Sequence, residues 1–237
     1  MEFKGKNALV TGASSGIGRA ITLALLRTGV NVAACARSQY RLEELRESAA
    51  GLEGTLVIGG VDVSDEDQLH AFVEKARMVL GPLSIVIANA GFGVFKPLME
   101  MKTEEFDQVM ATNVRGVWLT ARETVPEMVA REEGDIVIIS SLAGKNGFAT
   151  GTAYSASKFA VRGIAQSLMH EIRQHNVRVI TVFPGSTDTR FFDGTPMSPN
   201  REKILTSEDV SDVVLQALHS PRRALPSEID IRPANPK

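Results

Sequence analysis

Short β-branched or small apolar runs alternate with longer segments of helical period along the whole chain, and this alternation limits its fold more tightly than any other feature. Residues 7–11, 30–36, 55–61, 83–89, 135–140, 177–183 and 228–231 read as strands. Helical patterns fill the gaps at 17–28, 39–49, 65–80, 103–130, 153–175 and 207–219. Gly29 offers a left-handed stop to the first helix, Ser64 and Ser207 offer N-caps to the third and last, and Gly81-Pro82 ends the third. The second strand, 30–36, is apolar throughout Val32 to Ala36 with no polar alternation, so both of its faces must be covered. Strand-helix alternation of this kind requires right-handed crossovers. It predicts an α/β fold with a doubly wound, seven-stranded parallel sheet (a Rossmann fold) in a single domain over residues 1–237. Residues of about 186–205 read as a loop.

With 43% hydrophobic and 23% charged residues, a chain of 237 can bury a large core without disulfides or structural metal. Lys and Arg number 26 against 28 Asp and Glu, a net charge of −2 with no block of one sign. That balance speaks against nucleic acid or an anionic membrane as partner and suits a small uncharged substrate. The single cysteine, Cys35, reads as a packing residue. The charged stretch from Met1 to Asn7 lacks a signal peptide's apolar segment, and no run has the length of a membrane span, so a cytoplasmic location is expected.

The turn after the first strand places glycine at Gly12, Gly16 and Gly18, with Ser14, Ser15 and Ile17 between them. Such a turn lets amide N–H groups at a helix start face a diphosphate, and it equally suits a tight structural turn. Tyr154 and Lys158 are four apart and share a helix face, where an ammonium favours an ionised phenol. An unperturbed tyrosine, near about 10, is a poor acid-base group at neutral pH. The same spacing also fits a solvated lysine beside an amphipathic tyrosine. Ser140 and Ser141 end the fifth strand, at the edge where open parallel sheets bind ligands and where a hydroxyl can polarise a carbonyl. A serine hydrolase is disfavoured because no histidine stands in a base position; clustered metal ligands are also missing.

Taken together and in order, these residues resemble the short-chain dehydrogenase/reductase family over nearly the whole chain. The features are the Thr11 to Gly18 turn, Asp62 after the third strand, Asn89-Ala90-Gly91 after the fourth, Asn113, Ser141, Tyr154-x-x-x-Lys158, and Pro184-Gly185 with Thr189. The resemblance implies a hydride-transferring oxidoreductase. In it Ser141, 13 residues before Tyr154, orients the carbonyl, and Tyr154 donates the proton. Lys158 would bind the nicotinamide ribose and lower the Tyr154 pKa, and Asn113 would hold a water linked to Lys158. Gly12, Ser14, Ser15, Gly16, Ile17 and Gly18 would form the diphosphate turn. Asp62 and Val63 would meet the adenine; Asn89, Ala90 and Gly91 the ribose; Pro184, Gly185, Thr187 and Thr189 the carboxamide. The chain departs from the family pattern at Ser84 and Ala88, which bear on scaffolding, and 227–237 lacks a Gly-Gly element, which bears on the oligomer.

Cofactor choice is decided after the second strand, where Ala36 and Arg37 present no carboxylate and one guanidinium, so NADP(H) is preferred and NAD(H) remains possible. Phe92, Phe95, Phe148, Phe191, Phe192 and Met197 suggest an apolar or aromatic carbonyl or alcohol substrate, and would equally serve as core. Reduction of a 3-oxoacyl carrier protein ranks second, because Glu132 and Glu133 flank only Arg131 where an acidic carrier would dock. A non-catalytic NADPH-sensing regulator ranks third, since Ser141, Tyr154 and Lys158 are all present. The resemblance further implies a homodimer or homotetramer built on the helices 103–130 and 153–175.

Overall fold

The seven runs form one parallel sheet in the order β3-β2-β1-β4-β5-β6-β7. The computed structural model describes residues 3–193, 195, 197 and 199–235. Met1 and Glu2 of the charged N-terminal stretch, residues 194, 196 and 198 of the expected loop, and residues 236 and 237 of the C-terminal segment lie outside it. The strands are β1 (Asn7–Thr11), β2 (Asn31–Ala36), β3 (Leu56–Gly60), β4 (Ile85–Ala88), β5 (Gly134–Ile139), β6 (Val177–Pro184) and β7 (Glu228–Ile231). Alternate residues of each central strand enter two separate cores. Ala8, Val10, Val32, Ala34, Val137 and Ile139 face one; Leu9, Ala33, Cys35, Ile136 and Ile138 face the other. Burial on both faces is why these runs show no polar alternation.

One core is closed by α1 (Gly16–Arg27), α2 (Gln39–Ser48) and α7 (Ser207–Leu218). The other is closed by α3 (Glu66–Leu80), α5 (Gly116–Arg131) and α6 (Thr152–Ile172). The expected helix over 103–130 is interrupted. It runs as α4 (Thr103–Met110), a π-helical turn (Ala111–Arg115) and then α5. Two caps also move by one residue. The Ser64 amide and hydroxyl are taken by Asp62 Oδ1 at 2.9 and 2.7 Å, so Asp65 caps α3 by accepting from Gln68 N at 3.0 Å. At α7, Thr206 takes the cap and exchanges bonds with Asp209 in a capping box, with Ser207 as first helical residue. Among the described residues no helix is long and apolar enough to cross a membrane.

Charged groups fasten the far side of the sheet. Buried Asp135 accepts from Arg178 Nε at 2.6 Å and from Arg222 Nη1 at 2.8 Å, while Arg178 also donates to the carbonyls of Leu218 and Ser220 at 2.8 Å. The C-terminal end of α7 is thereby tied to β5 and β6. Edge strand β7 is held through Glu228, whose two oxygens accept from Arg162 Nε and Nη2 at 2.7 and 3.0 Å, with Lys145 Nζ at 3.0 Å.

Hydrogen bonds from Arg162 hold the Glu228 carboxyl at about 2, below its ordinary 4.5. A carboxyl depressed on folding stabilises the protein above its unfolded value, and that contribution is lost as pH falls through the folded one. Glu228→Gln should therefore lower the melting temperature by about 3 to 6 °C near pH 6. In paired thermal melts the gap to wild type should shrink between pH 4.5 and about 2. A gap independent of pH would show that the ion pair does not support the edge strand.

Candidate active site

Strand order reverses at β1, whose neighbours β2 and β4 lead away in opposite directions, and a crevice opens above the carboxyl ends of β1 and β4. The turn from β1 into α1 has Gly12 at φ +66 and Gly16 at φ +53, a region costly for other residues. The space of a Cβ at Gly12 is already taken by Ala90 Cα at 2.8 Å. Thr11 Oγ1 accepts from the amides of Asn89 and Ala90, both at 3.1 Å, and Asn89 Nδ2 donates to the carbonyls of Thr11 and Gly12 at 3.0 and 3.2 Å. The glycine turn and the β4 loop are thus stitched together. Gly12, Ser14, Ser15, Gly16 and Ile17 line a cavity of about 1080 Å³. Gly18 does not; it lies against Gly12 O and the Asn89 amide, where its missing side chain allows helix and strand to approach.

The same cavity reaches Ser141, Tyr154 and Lys158. The two serines at the end of β5 separate in role. Ser140 is buried and its hydroxyl donates to Lys158 O at 3.3 Å, a bond between β5 and α6. Ser141 caps the short helical turn Leu142–Gly144, accepting from Ala143 N at 3.1 Å, and its hydroxyl stands beside the Tyr154 phenol. Burial pushes that phenol up to about 12, and the hydrogen bond with Ser141 opposes part of the rise. Burial pulls Lys158 down to about 8. Its Nζ donates to Ile139 O at 3.0 Å and lies 5.8 Å from the Tyr154 ring centroid. Burial of the phenol thus dominates, and the group that opposes it is the Ser141 hydroxyl rather than the Lys158 ammonium expected from the spacing.

Asn113 sits in the π-helical turn and is fully buried, outside the cavity wall. Its Oδ1 accepts from Phe92 N at 3.0 Å, and its Nδ2 donates to Phe92 O at 2.9 Å and Ser157 Oγ at 3.0 Å. Ser157 in turn donates to Tyr154 O at 2.7 Å. The Asn113 side chain is committed to these partners, which couple the β4 loop to the first turns of α6. A Cβ at Gly91 would stand 3.1 Å from Asn113 Oδ1 and 3.5 Å from Lys158 Nζ.

At the other end of the cavity, Arg37 is exposed and lies over the Phe92 ring, Cζ to centroid 5.8 Å. Phe92, expected among substrate contacts, thus lies toward the β2 side of the cavity. Asp62 and Val63 line the same end. Burial raises the Asp62 carboxyl, but hydrogen bonds from Ser64 and the charge of Arg37 outweigh it and hold the group below its ordinary range. Arg41 also faces this end and was missed in the sequence. Its guanidinium has no hydrogen bond or ion pair among the described residues. Its signal was the three-residue gap after Arg37, which places both cations at the start of α2.

The remaining wall comes from Pro184, Gly185, Thr187, Thr189 and the loop after β6. That loop is closed at its base by backbone bonds from Asp188 N to Leu205 O at 2.6 Å and from Leu205 N to Ser186 O at 3.0 Å. Thr189 caps the helical turn Arg190–Phe192 and lies against Gly16, while Phe191 reaches back to Tyr154. Phe95, Tyr154, Phe191 and Met197 pack as one cluster with Ala143, with Phe148 beside Phe95 and Phe192 against Phe191.

A glycine turn, a Tyr-x-x-x-Lys helix face and a serine at the end of β5 meet in one cavity, and the family model described as short chain dehydrogenase matches residues 6–198. The chain belongs to the short-chain dehydrogenase/reductase family. Among curated members it is 37% identical over 239 residues to glycine betaine reductase ATRR of Emericella nidulans, covering 98% of this chain but only 19% of that much longer protein. Among solved members it is similar to a 3-ketoacyl-ACP reductase from Sinorhizobium meliloti, with 36% identity, TM-score 0.85 and coverage of 95% and 96% of the two chains. The alcohol dehydrogenase of Thermococcus sibiricus, complexed with 5-hydroxy-NADP, is 30% identical with TM-score 0.88 over 98% and 99%. A short-chain dehydrogenase from Mycobacterium paratuberculosis bound to NAD is 27% identical with TM-score 0.88 over 98% and 97%.

Proposed function

We propose that the protein is an NADPH-preferring oxidoreductase that interconverts a carbonyl and a secondary alcohol on a small apolar substrate. The observation that carries this reading is the buried phenol of Tyr154, beside Ser141 and Lys158, in the same cavity as the glycine turn. The residues present fit a dinucleotide. Gly12 and Gly16 leave no Cβ in the turn, α1 has no acidic side chain in its first turn, and Ser15 spends no side-chain bond on capping. When bound, the nicotinamide supplies the hydride for reduction and accepts it for oxidation.

Tyr154, neutral at physiological pH and driven further toward that form by burial, keeps the proton that the carbonyl oxygen takes on becoming a hydroxyl. Ser141 positions that oxygen by a hydrogen bond from its hydroxyl. Lys158, at about 8 and mostly protonated near neutrality, favours the phenolate left after transfer. Asn113 acts through Ser157 and Phe92, fixing the helix turn that carries Tyr154 and the loop that carries Gly91. Phe95 and Phe191 pack against the Tyr154 ring and fix its place on the cavity wall. Arg37 and Arg41 flank Ser38 at the end of β2, where a 2′-phosphate would lie, and the carboxylate nearest by charge, Asp62, is occupied by Ser64. NAD(H) is the second cofactor on this reading. Reduction of a 3-oxoacyl group on a carrier protein is the second substrate reading, supported by the likeness to the Sinorhizobium enzyme. A homo-oligomer packed through α4 to α6 is supported by Phe106, Trp118 and Phe159, which are 39%, 47% and 46% exposed on those helices.

Tyr154→Phe should cut turnover of NADPH with ketones by about 10² to 10⁴-fold, with the NADPH dissociation constant little changed. Near-normal turnover would remove Tyr154 from the chemistry. Arg37→Ala combined with Arg41→Ala should weaken NADPH by roughly ten- to a hundred-fold and NADH far less, in fluorescence titrations at one ionic strength. Equal losses would show that neither cation reads the phosphate. Light scattering at micromolar concentration should give a multiple of 25.6 kDa, and a single-chain mass would contradict the oligomer.

A further inference from the structure

The ring cluster at Tyr154 is more specific in shape than an apolar pocket requires. Phe95 lies 5.5 Å from the Tyr154 ring at 69° and 5.6 Å from Phe191 at 67°, with Phe191 5.2 Å from Tyr154 and Phe148 5.9 Å from Phe95. Two glycines make room for these rings. A Cβ at Gly93 would meet Phe95 Cζ at 2.5 Å and Phe191 Cζ at 3.0 Å, and one at Gly151 would meet Phe148 ring atoms at 2.5 to 2.8 Å. Between Phe148 and Gly151 stands Thr150 at φ +66, a conformation that a β-branched residue rarely adopts. Its carbonyl accepts from Lys96 N at 3.0 Å, which ties the segment carrying Phe148 to the one carrying Phe95. Backbone strain and two absent side chains thus hold Phe95 edge to face against Tyr154 and Phe191, with Phe148 tilted at 38° beside it. Phe148, 40% exposed on the cavity wall, keeps an open face.

An alkyl chain needs only apolar volume, whereas rings set at steep angles attract the edge or face of another ring. Phe95 and Phe191 already touch the ring whose hydroxyl must meet the carbonyl. A substrate ring that uses them must therefore sit close to that carbonyl and not at the end of a long acyl chain. Resting on the carbonyl-reducing reading above, we infer that the substrate is an aryl carbonyl compound, its ring attached directly to the carbonyl or one carbon away and held among Phe95, Phe148 and Phe191. Met197, in the same cluster, adds a sulfur contact for that ring.

The test compares phenylacetone with cyclohexylacetone, whose carbonyls are unconjugated and which differ in the ring alone, as substrates with NADPH and as ligands of the NADP⁺-loaded protein by calorimetry. The wild type should favour the aryl ketone by roughly tenfold or more in kcat/KM and in dissociation constant. Phe148→Leu and Phe191→Leu should each reduce that ratio by about three- to ten-fold, and Phe148→Tyr, which keeps a ring, should preserve it. A wild-type ratio near one, or leucine variants that leave the ratio unchanged, would overturn the ring assignment even if both ketones are reduced. If no carbonyl compound is reduced while aryl-selective binding and its loss in the leucine variants are seen, the reaction proposed above fails and the aryl site is supported on its own.

Discussion

The stitch between Thr11 and Asn89 is the interaction on which the site depends. A parallel sheet whose order reverses leaves its two halves diverging above β1 and β4, and nothing in the strands themselves holds the loops of the two halves together. Four hydrogen bonds do so, two accepted by the Thr11 hydroxyl and two donated by the Asn89 amide. They set the glycine turn at a fixed distance from the Ala90-Gly91 segment, and Asn113 extends the same frame through Phe92 and Ser157 to the helix that carries Tyr154. The two ends of the cavity are therefore parts of one hydrogen-bonded unit.

Burial moves the two ionisable groups of that unit in opposite directions. The phenol is driven toward its neutral form and the ammonium loses part of its preference for charge, at about 12 and about 8. Each shift opposes the formation of an isolated charge, so a phenolate and an ammonium become favourable chiefly as a pair. The carbonyl of Ile139 holds Lys158 in place through a neutral bond that leaves its charge uncompensated, and no carboxylate hydrogen-bonds to Lys158 among the described residues.

Much of this was legible in the sequence because its causes are local. Strands buried on both faces must be apolar along their centres, and β1 at 8–10, β2 at 32–36 and β5 at 136–139 read that way. Glycine at positions 12 and 16 is required by positive φ, and Tyr154 with Lys158 by helix spacing. What escaped depends on competition between neighbours. Ser64 looks like a cap until Asp62 claims both its donors, and Thr206 outcompetes Ser207 through its reciprocal bond with Asp209. The π-helical turn at Asn113 inserts an extra residue without disturbing the apolar pattern, so one long helix is the natural reading. Phe92 sits under Arg37 because its backbone is pinned by Asn113, a partner 21 residues away. Between the two serines at the end of β5, the resemblance singled out Ser141, and the tertiary reason it could not show is the Ser140 bond to Lys158 O.

The loop after β6 has its base closed by the pairing of Ser186 to Asp188 with Leu205, and the far helix α7 is anchored separately through Asp135, Arg178 and Arg222. Between those paired residues the loop also rests on the cavity, with Thr189 against Gly16 and Phe191 against Tyr154. Phe191 belongs to this span, whereas Phe95 and Phe148 belong to segments tied to each other through Thr150. One side of the ring cluster is thus set by two loops bound to each other, and the other by a loop closed at its base. A displacement of that loop would therefore move Phe191 and Thr189 together, so the ring cluster and the glycine turn feel the same motion.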